Sequence, residues 1–325
     1  IILGKIMKLD RHDQKILYIL DHGGRLSFSE IARQVGLGRD LVEYRITRMQ
    51  NEGVITGFRT IVNPYKIGLT LIKTYLRIAD SGQLKDKFIK KLKNHPKVYW
   101  FTECDGEWDI IFSLAARSIY EFSYTQREIM NDISSIILAS EVYPVVQFRF
   151  FRLKYLHKTG THYFQIGGEP GSIQLDPLEE SIIRELDKNA RCSISELAEK
   201  LNRTPSIIAN RISNLEKEDV ILGYQAEISP EALGQTLYKC QLYLKDLSLK
   251  EEERIAEFCN RHPKVVEVIS QVGRCRLELN LHAENYQAYL KTVKSIRAEF
   301  PNQIRNTVPL MMHTEHYRWM FTNQS

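Results

Sequence analysis

Long apolar runs are absent from this sequence of 325 residues, and glycine and proline are scarce. Since a helix that spans a membrane needs about 18 or more consecutive apolar residues, we expect no membrane span. The apolar start, residues 1–8, is too short for the apolar core of a secretory signal peptide. The 17 glycines and 10 prolines exclude a collagen-like or low-complexity chain.

Paired cysteines and the common signatures of enzymes are also lacking. The five cysteines form no C-x-x-C motif, and because their number is odd we interpret them as reduced packing residues and expect a cytoplasmic protein. The sequence contains no G-x-G-x-x-G, no Walker loop and no recognisable catalytic triad. We therefore expect no cofactor, no metal and no enzymatic activity.

An internal repeat organises the chain. A shift of 166 residues aligns 9–68 with 175–234 without a gap, and 18 of these 60 positions are identical. Both copies contain Arg-x-Ser-x-Ser-Glu, Arg-Ile and Val-Ile-x-Gly, in this order. The sequence His-Pro-Lys-Val at 95–98 returns at 262–265, which shows that the duplication extends through the whole unit.

Each unit has the pattern of two domains. We predict an α+β protein with two copies of a winged helix-turn-helix followed by a ferredoxin-like βαββαβ domain. The expected boundaries are 9–63 for the first helix-turn-helix, 69–151 for the first ferredoxin-like domain, 152–174 for a linker, 175–229 for the second helix-turn-helix and 236–318 for the second ferredoxin-like domain.

The helix-turn-helix pattern is clear in copy one. Ser27 and Glu30 form a capping box at the start of a short helix, and Gly36-Leu37-Gly38 predicts a tight turn. The third helix, about 39–52, turns an apolar face inward and a polar, basic face outward, as a helix in a DNA major groove does. The residues expected to contact DNA there are Arg39, Asp40, Tyr44, Arg45 and Arg48. A solvated basic face on a small helical domain is the alternative from spacing alone.

A strand-like segment, Val54–Val62, follows the third helix of copy one. It predicts a two-stranded wing within this copy, closed by Asn63-Pro64. We expect Arg59 on this wing to reach a flanking DNA phosphate.

Copy two is the weaker candidate for binding DNA. Its region 175–229 holds 7 basic and 11 acidic side chains, whereas 9–63 holds 8 and 7. Because neutralising phosphates dominates DNA affinity, the excess of acid weakens the second case. Thr204 is expected to cap the third helix, with Pro205 at its first position. The residues expected to contact DNA are Arg203, Thr204, Ser206, Asn210 and Arg211.

The second domain of each unit should leave one sheet face open and apolar, and we expect this face to pair with another such sheet. In copy one, the loop between the inner strands carries three carboxylates, an apolar wall and a glycine that allows a close approach. The candidate residues for binding a ligand's ammonium group are Asp105, Gly106, Glu107, Trp108 and Asp109. Copy two keeps the glycine, Gly273, but its acids become basic. A solvated hairpin turn is the alternative.

Taken together, these motifs resemble the leucine-responsive/asparagine regulator (Lrp/AsnC) family of transcription factors. The matching residues include the opening Leu-Asp, Ser-x-Ser-Glu-x-Ala, Gly-Val-Ile-x-Gly, Asn-Pro-x-x-x-Gly and Gly-x-Trp-Asp. The resemblance implies binding of double-stranded DNA and a C-terminal RAM-type domain that dimerises and binds an amino acid or similar small effector. Most members carry one unit, so this tandem chain could form an intrachain pseudo-dimer or associate with other chains.

Three alternatives from other classes remain. One is an effector-binding or assembly protein that has lost DNA binding, which the acidic second half permits. Another is an enzyme like the siroheme decarboxylases, which resemble this fold, but the histidine-containing stretch expected of them is missing at Gly106–Phe112. The third is a metal site built on His313 and His316 with Glu315 or His282, whose spacing suits a helix better than the expected strand.

Overall fold

The computed structural model describes residues 6–79, 82–157 and 160–317, apart from the side chain of residue 314. Both predicted domains occur in both copies, which confirms the fold class. Copy one contains the helices α1 (Arg11–Leu20), α2 (Phe28–Val35) and α3 (Arg39–Asn51), the strand β1 (Ile55–Val62), and then β2 (Thr70–Ile78), α4 (Gly82–Asn94), β3 (Val98–Gly106), β4 (Ile110–Ala116), α5 (Ile119–Met130) and β5 (Ile137–Phe151).

Copy two repeats this order after an extra strand. The segment predicted as a linker contains β6 (Tyr163–Gly167). Copy two then contains α6 (Pro177–Lys188), α7 (Ile194–Lys200), α8 (Pro205–Lys217), β7 (Ile221–Ile228), β8 (Thr236–Leu244), α9 (Leu249–Arg261), β9 (Val265–Gln271), β10 (Leu277–Ala283), α10 (Tyr286–Glu299) and β11 (Ile304–Tyr317). None of the helices in the described part of the chain is long and apolar enough to cross a membrane.

Capping side chains set where several helices begin. Ser27 and Glu30 form the predicted box at the start of α2, and Ser193 forms the equivalent box at α7. The N-cap residue of α3 is Gly38, which has no side chain to cap the helix. Thr204 does lie at the N-cap of α8, but its hydroxyl bonds to the Ser206 hydroxyl instead of a backbone N–H. The predicted capping bond of Thr204 is therefore wrong.

The predicted wing within copy one is also wrong, because β1 pairs with β7 of copy two. No turn-forming dipeptide interrupts the segment, so it stays one strand and finds its partner elsewhere. In this antiparallel pair, here called the ribbon, Arg59 lies opposite Gln225, which is its own equivalent after the shift of 166. A pseudo-twofold axis therefore passes through the ribbon, and it relates the two helix-turn-helix domains.

The two ferredoxin-like sheets close into one barrel. Their strand orders are β5-β2-β4-β3 and β11-β8-β10-β9. The strands that come last in the chain, β5 and β11, each extend into the sheet of the other copy. The second half of β5 pairs with β9, and the second half of β11 pairs with β3. Strand β6 pairs with the end of β5. This exchange answers the question left open by the sequence: the copies pair within one chain, and the pairing leaves few free sheet edges.

The barrel encloses an apolar cluster around Tyr75 and Ile111, as expected, together with polar residues that were not expected. Further apolar cores lie between the sheets and the outer helices, for example around Phe112 in copy one and Leu279 in copy two. Lys73, Lys239 and Glu278 point into the barrel and are buried. The Glu278 carboxylate lies between the two ammonium groups, which lowers the cost of burying all three side chains. All five cysteines are free and buried.

Candidate functional sites

Helix α3 presents the face that the sequence predicted. Val42, Ile46 and Met49 are buried in the core of the domain. On the other side, Asp40 is exposed and the Tyr44 side chain is 61% exposed. Arg39 lies in the first turn and forms ion pairs with Asp40 at 2.8 Å and with Glu43 at 3.2 Å. Because these contacts are on the surface, they cost little to exchange for a phosphate or a base edge.

Arg45 and Arg48 are held within the protein. Both donate to the buried carboxylate of Asp13 in α1, at 2.7 and 2.6 Å. Arg45 also donates to Asp10 at 2.7 Å. The sequence reasoning placed Arg45 among the DNA contacts because helical spacing does not show which element lies beside a side chain.

The same ion pairs recur in copy two. Arg211 bonds to Asp176 and Glu179, both at 2.9 Å, and these three residues are the equivalents of Arg45, Asp10 and Asp13. Recurrence in both copies marks Arg45 and Arg211 as residues that fasten the third helix to the first. The signal was present in the sequence, since both arginines and both pairs of acids repeat at the shift of 166.

Helix α8 has a neutral outward face. Ser206 and Asn210 are exposed, and so is Arg203, which donates to the carbonyl of Asn202 at 2.9 Å. Arg48 of α3 has Asn214 as its equivalent here, which removes another basic group. The two helices therefore share a scaffold but present different chemistry to a ligand.

Arg59 lies beneath the ribbon, where its guanidinium faces the barrel. It donates to the Gln225 side chain at 3.0 Å and stacks over the ring of Tyr317 at 4.4 Å. Because β1 is paired with β7 across the pseudo-twofold axis, this face of the strand is turned inward. The predicted phosphate contact required Arg59 to lie on an outward-facing wing, and in this arrangement it does not.

The loop at 105–109 does not gather its three carboxylates. Asp105 pairs with His313 at 3.0 Å, whereas Asp109 accepts the backbone N–H of Ile78 at 2.8 Å and Glu107 is exposed. Trp108 is 3% exposed and packs in a core cluster. Trp108 and Asp109 thus make structural contacts within the protein, while Asp105 and Glu107 stay accessible.

Glycines of this loop and of its counterpart lie against the other copy. Gly106 has φ +138° and Gly273 has φ +141°, a region that favours glycine. A Cβ at Gly106 would lie 2.9 Å from the carbonyl of Pro309, and one at Gly273 would lie 2.6 Å from the ring of Tyr143. Both loops therefore form part of the interface between the copies.

A charged cluster fills the middle of the barrel. Glu278 accepts hydrogen bonds from Lys73 and Tyr75, and also from Lys239 at 3.2 Å. Burial alone would raise the pKa of Glu278, but the two lysines hold it well below its usual range. Burial lowers the pKa of Lys73 to about 8. The sequence reasoning missed this cluster, because a single lysine in a strand gives no sign of a partner two hundred residues away.

A cavity of about 470 Å³ lies between the ribbon and the barrel. Five acidic residues and one arginine line it, with histidines at its side: Asp21, Glu227, Glu231, Glu267, Glu315, Arg59, His282 and His313. Burial raises the pKa of Asp21 to about 6 and that of Glu267 to about 7. Burial also lowers the pKa of His282 to about 3, so this histidine is neutral. The cavity was not predictable from the amino-acid sequence, because its walls come from both copies.

His313 and His316 both lie on β11, where residues three apart face opposite sides of a strand. His313 pairs with Asp105, and His316 stacks on Phe101 at 4.6 Å. Within the described residues, no group of three histidine, cysteine or acidic side chains could hold a metal ion.

Comparison with known proteins relates the chain to regulators. Residues 9–56 and 175–221 match a family model described as winged helix-turn-helix DNA-binding. The HTH-type transcriptional regulator Ptr1 of Methanocaldococcus jannaschii is 31% identical over 140 residues, which cover 42% of this chain and 84% of that protein. The glutamate uptake regulatory protein of Zymomonas mobilis is 29% identical over 144 residues, which cover 42% and 88%.

The fold of the whole chain also occurs in a solved structure. The siroheme decarboxylase NirDL superposes with a TM-score of 0.64 at 14% identity, covering 97% of this chain and 95% of that chain. At this identity the likeness concerns the fold alone, whereas the curated relatives show descent and each aligns with less than half of this chain. The chain therefore belongs to the Lrp/AsnC family of DNA-binding transcriptional regulators and carries the family's unit twice in one polypeptide.

Proposed function

We propose that this regulator reads an asymmetric DNA site, with α3 as the main reader and α8 as a weaker one. The observation that carries this proposal is the difference between the two outward faces on one shared scaffold. Helix α3 presents Arg39, Asp40 and Tyr44, whereas α8 presents Ser206 and Asn210. An arginine can bond a guanine edge with two hydrogen bonds and also neutralises phosphate charge, whereas Asn210 can bond an adenine edge but adds no positive charge.

The remaining predicted contacts take secondary roles in this proposal. Arg48 is 34% exposed, so it can add a phosphate contact without leaving Asp13. Arg203 and Thr204 precede α8 and are exposed, which suits backbone contacts to DNA. Arg45 and Arg211 act by holding the reading helices in place, and Arg59 acts from within the molecule.

A small effector, such as an amino acid, modulates DNA binding in this proposal. The accessible carboxylates of Asp105 and Glu107 are the residues that support an effector at the loop. Asp105 pairs with His313 of β11, so a ligand that engages this carboxylate changes a contact between the copies. Such a ligand shifts DNA affinity only as far as it binds two arrangements of the copies differently.

Binding without catalysis fits the cavity better than the decarboxylase alternative. Siroheme carries several carboxylate groups, and the cavity walls are themselves rich in carboxylates. Like charges at short range disfavour such a ligand. Absorbance on adding siroheme is the check, and a saturable spectral shift would favour the enzyme.

The test selects binding sites from a random DNA library and then measures affinities of variants over a salt series. We expect a selected site with one well-defined half and one loosely defined half. The double variant Arg39→Ala/Tyr44→Ala should weaken binding by about tenfold or more. The matched variant Ser206→Ala/Asn210→Ala should weaken it by only a few fold.

Two outcomes contradict the proposal. A palindromic selected site with equal losses in both double variants would mean that the two helices read DNA equally. The proposal would also be wrong if the protein bound the selected DNA no tighter than random DNA, both with and without a panel of amino acids. Arg211→Ala serves as a folding control, because its effect should appear in thermal unfolding as well as in affinity.

A further inference from the structure

The third helix of each helix-turn-helix domain exposes a large apolar side chain. Between residues 11 and 51, the large apolar side chains left exposed are those of Leu41 and Tyr44 on α3, and between residues 177 and 217 it is that of Ile207 on α8. Leu41 and Ile207 are each 42% exposed. Because removing apolar surface from water is favourable, these side chains gain free energy from an apolar partner on a bound ligand.

Leu41 and Ile207 occupy the same position in the two copies. They are equivalent after the shift of 166, and each is the third residue of its helix. Several other outward equivalents differ in chemistry, for example Tyr44 and Asn210. The aliphatic character and the exposure of this position are therefore shared by two reading helices that otherwise present different faces.

The first turn of the third helix is where these side chains can meet bases. When a helix-turn-helix binds DNA, residues near the N-terminus of its recognition helix contact the base edges in the major groove. Leu41 lies one turn before Tyr44 on the same side of α3, and Ile207 lies one turn before Asn210 on the same side of α8. Each aliphatic side chain thus lies beside a residue that we assign to DNA reading.

The chemistry of the major groove identifies the base that suits an aliphatic side chain. Thymine presents its C5-methyl group there, whereas the other bases present hydrogen-bond donors and acceptors. An aliphatic side chain placed against a donor or an acceptor removes water from it and returns no hydrogen bond, which costs free energy. Leucine and isoleucine therefore favour thymine and disfavour the other three bases at the position they contact.

We propose that Leu41 and Ile207 each contact the methyl group of one thymine, so that the two halves of the DNA site share this base although they differ elsewhere. The inference rests on the proposed function, in which α3 and α8 enter the major groove. The pseudo-twofold axis through the ribbon relates the two helices, and readers related by a twofold axis bind inverted half-sites. The two thymines therefore lie on opposite strands, at equal distances from the centre of the site.

The test replaces the thymines of the duplex selected from the random library, one at a time, by deoxyuridine, which lacks only the methyl group. Fluorescence anisotropy of the labelled duplex measures the affinity of the full chain. We expect one sensitive thymine in each half, where deoxyuridine weakens binding about fourfold, as the loss of one buried methyl group should. Leu41→Ala should remove the sensitivity in the well-defined half alone, and Ile207→Ala should remove it in the loosely defined half alone.

Both alanine variants should fold like the wild type, because the side chains are exposed and alanine favours a helix. Leu138→Ala is the matched control: this leucine is 63% exposed on β5, outside the helix-turn-helix domains, and its loss should leave both sensitivities unchanged. The inference is overturned if no thymine is sensitive, if the sensitivities persist in the Leu41 and Ile207 variants, or if both sensitive thymines lie on one strand. Specific binding without any effect of the methyl group overturns this inference alone, whereas the absence of specific binding overturns the proposed function as well.

Discussion

Arg25 and Arg191 are equivalent residues that make the same contact in opposite directions. Arg25 donates to the carbonyl of Ala190 at 2.7 Å, and Arg191 donates to that of Gly24 at 2.9 Å. Each guanidinium also lies 5.1 Å from an aromatic ring of the ribbon. The sequence showed these arginines as the first residue of a repeated motif. It could not show their role, because each one has its partner in the other copy.

Gly273 offers a test of the interface at the level of one residue. Gly273→Ala should lower the free energy of unfolding by about 2 kcal/mol or more, because the positive φ and the Tyr143 ring both oppose a Cβ. Gly82→Ala is the control: a Cβ there meets no atom within 4 Å, so it should be neutral or slightly stabilising. Denaturant unfolding measures both. Equal stabilities would mean that the loop adjusts without cost.

At the level of elements, the sequence predicted what each segment forms better than what it pairs with. Apolar spacing located the buried face of α3, and the βαββαβ order was correct in both copies. The partners of β1 and of the ends of β5 and β11 were not predictable. Alternation in a strand fixes which side chains share a face, and it carries no information about which strand lies beside it. The error on Arg59 follows from that limit.

The attachment of α3 to α1 gives a prediction at this scale. Asp13→Asn should lower the free energy of unfolding by about 2 kcal/mol, because a side chain that is 1% exposed loses its charge beside Arg45 and Arg48. Asp40→Asn, at a side chain that is 94% exposed, should change it by less than about 0.5 kcal/mol. Urea unfolding followed by circular dichroism compares them. Similar small effects would show that the ion pairs add nothing to the domain.

At the scale of the molecule, one chain builds what would otherwise take two subunits. The ribbon joins the helix-turn-helix domains, and the exchanged strands join the sheets, so neither copy is closed without the other. The two copies nevertheless contribute different residues to the barrel interior. Lys73 and Lys239 are equivalent, whereas the equivalent of Glu278 is Ile111, by the shift of 167 that applies from residue 95 onward. The sequence predicted the duplication, but only the structure shows that both lysines share one glutamate.

The covalent link should therefore be dispensable for assembly. Residues 1–158 and 159–325, produced together as separate chains, should purify as a complex of one to one. Each half produced alone should aggregate or form pairs with itself, because the barrel would be left with unpaired strand ends. Size-exclusion chromatography with light scattering measures the masses. Two stable, monomeric halves that ignore each other would contradict the interdependence of the copies.

Glu278 in the barrel has a consequence for how this protein can change over generations. In a homodimer, one altered codon changes the same residue in both subunits, and a residue near the twofold axis contacts the same residue of the other subunit. A glutamate at that position would then face a second glutamate. In the fused gene each half mutates independently. A substitution that would be harmful in both copies can therefore occur in one copy only. Glu278 where copy one has Ile111, and the different outward faces of α8 and α3, are differences that a homodimer encoded by one single-unit gene cannot have.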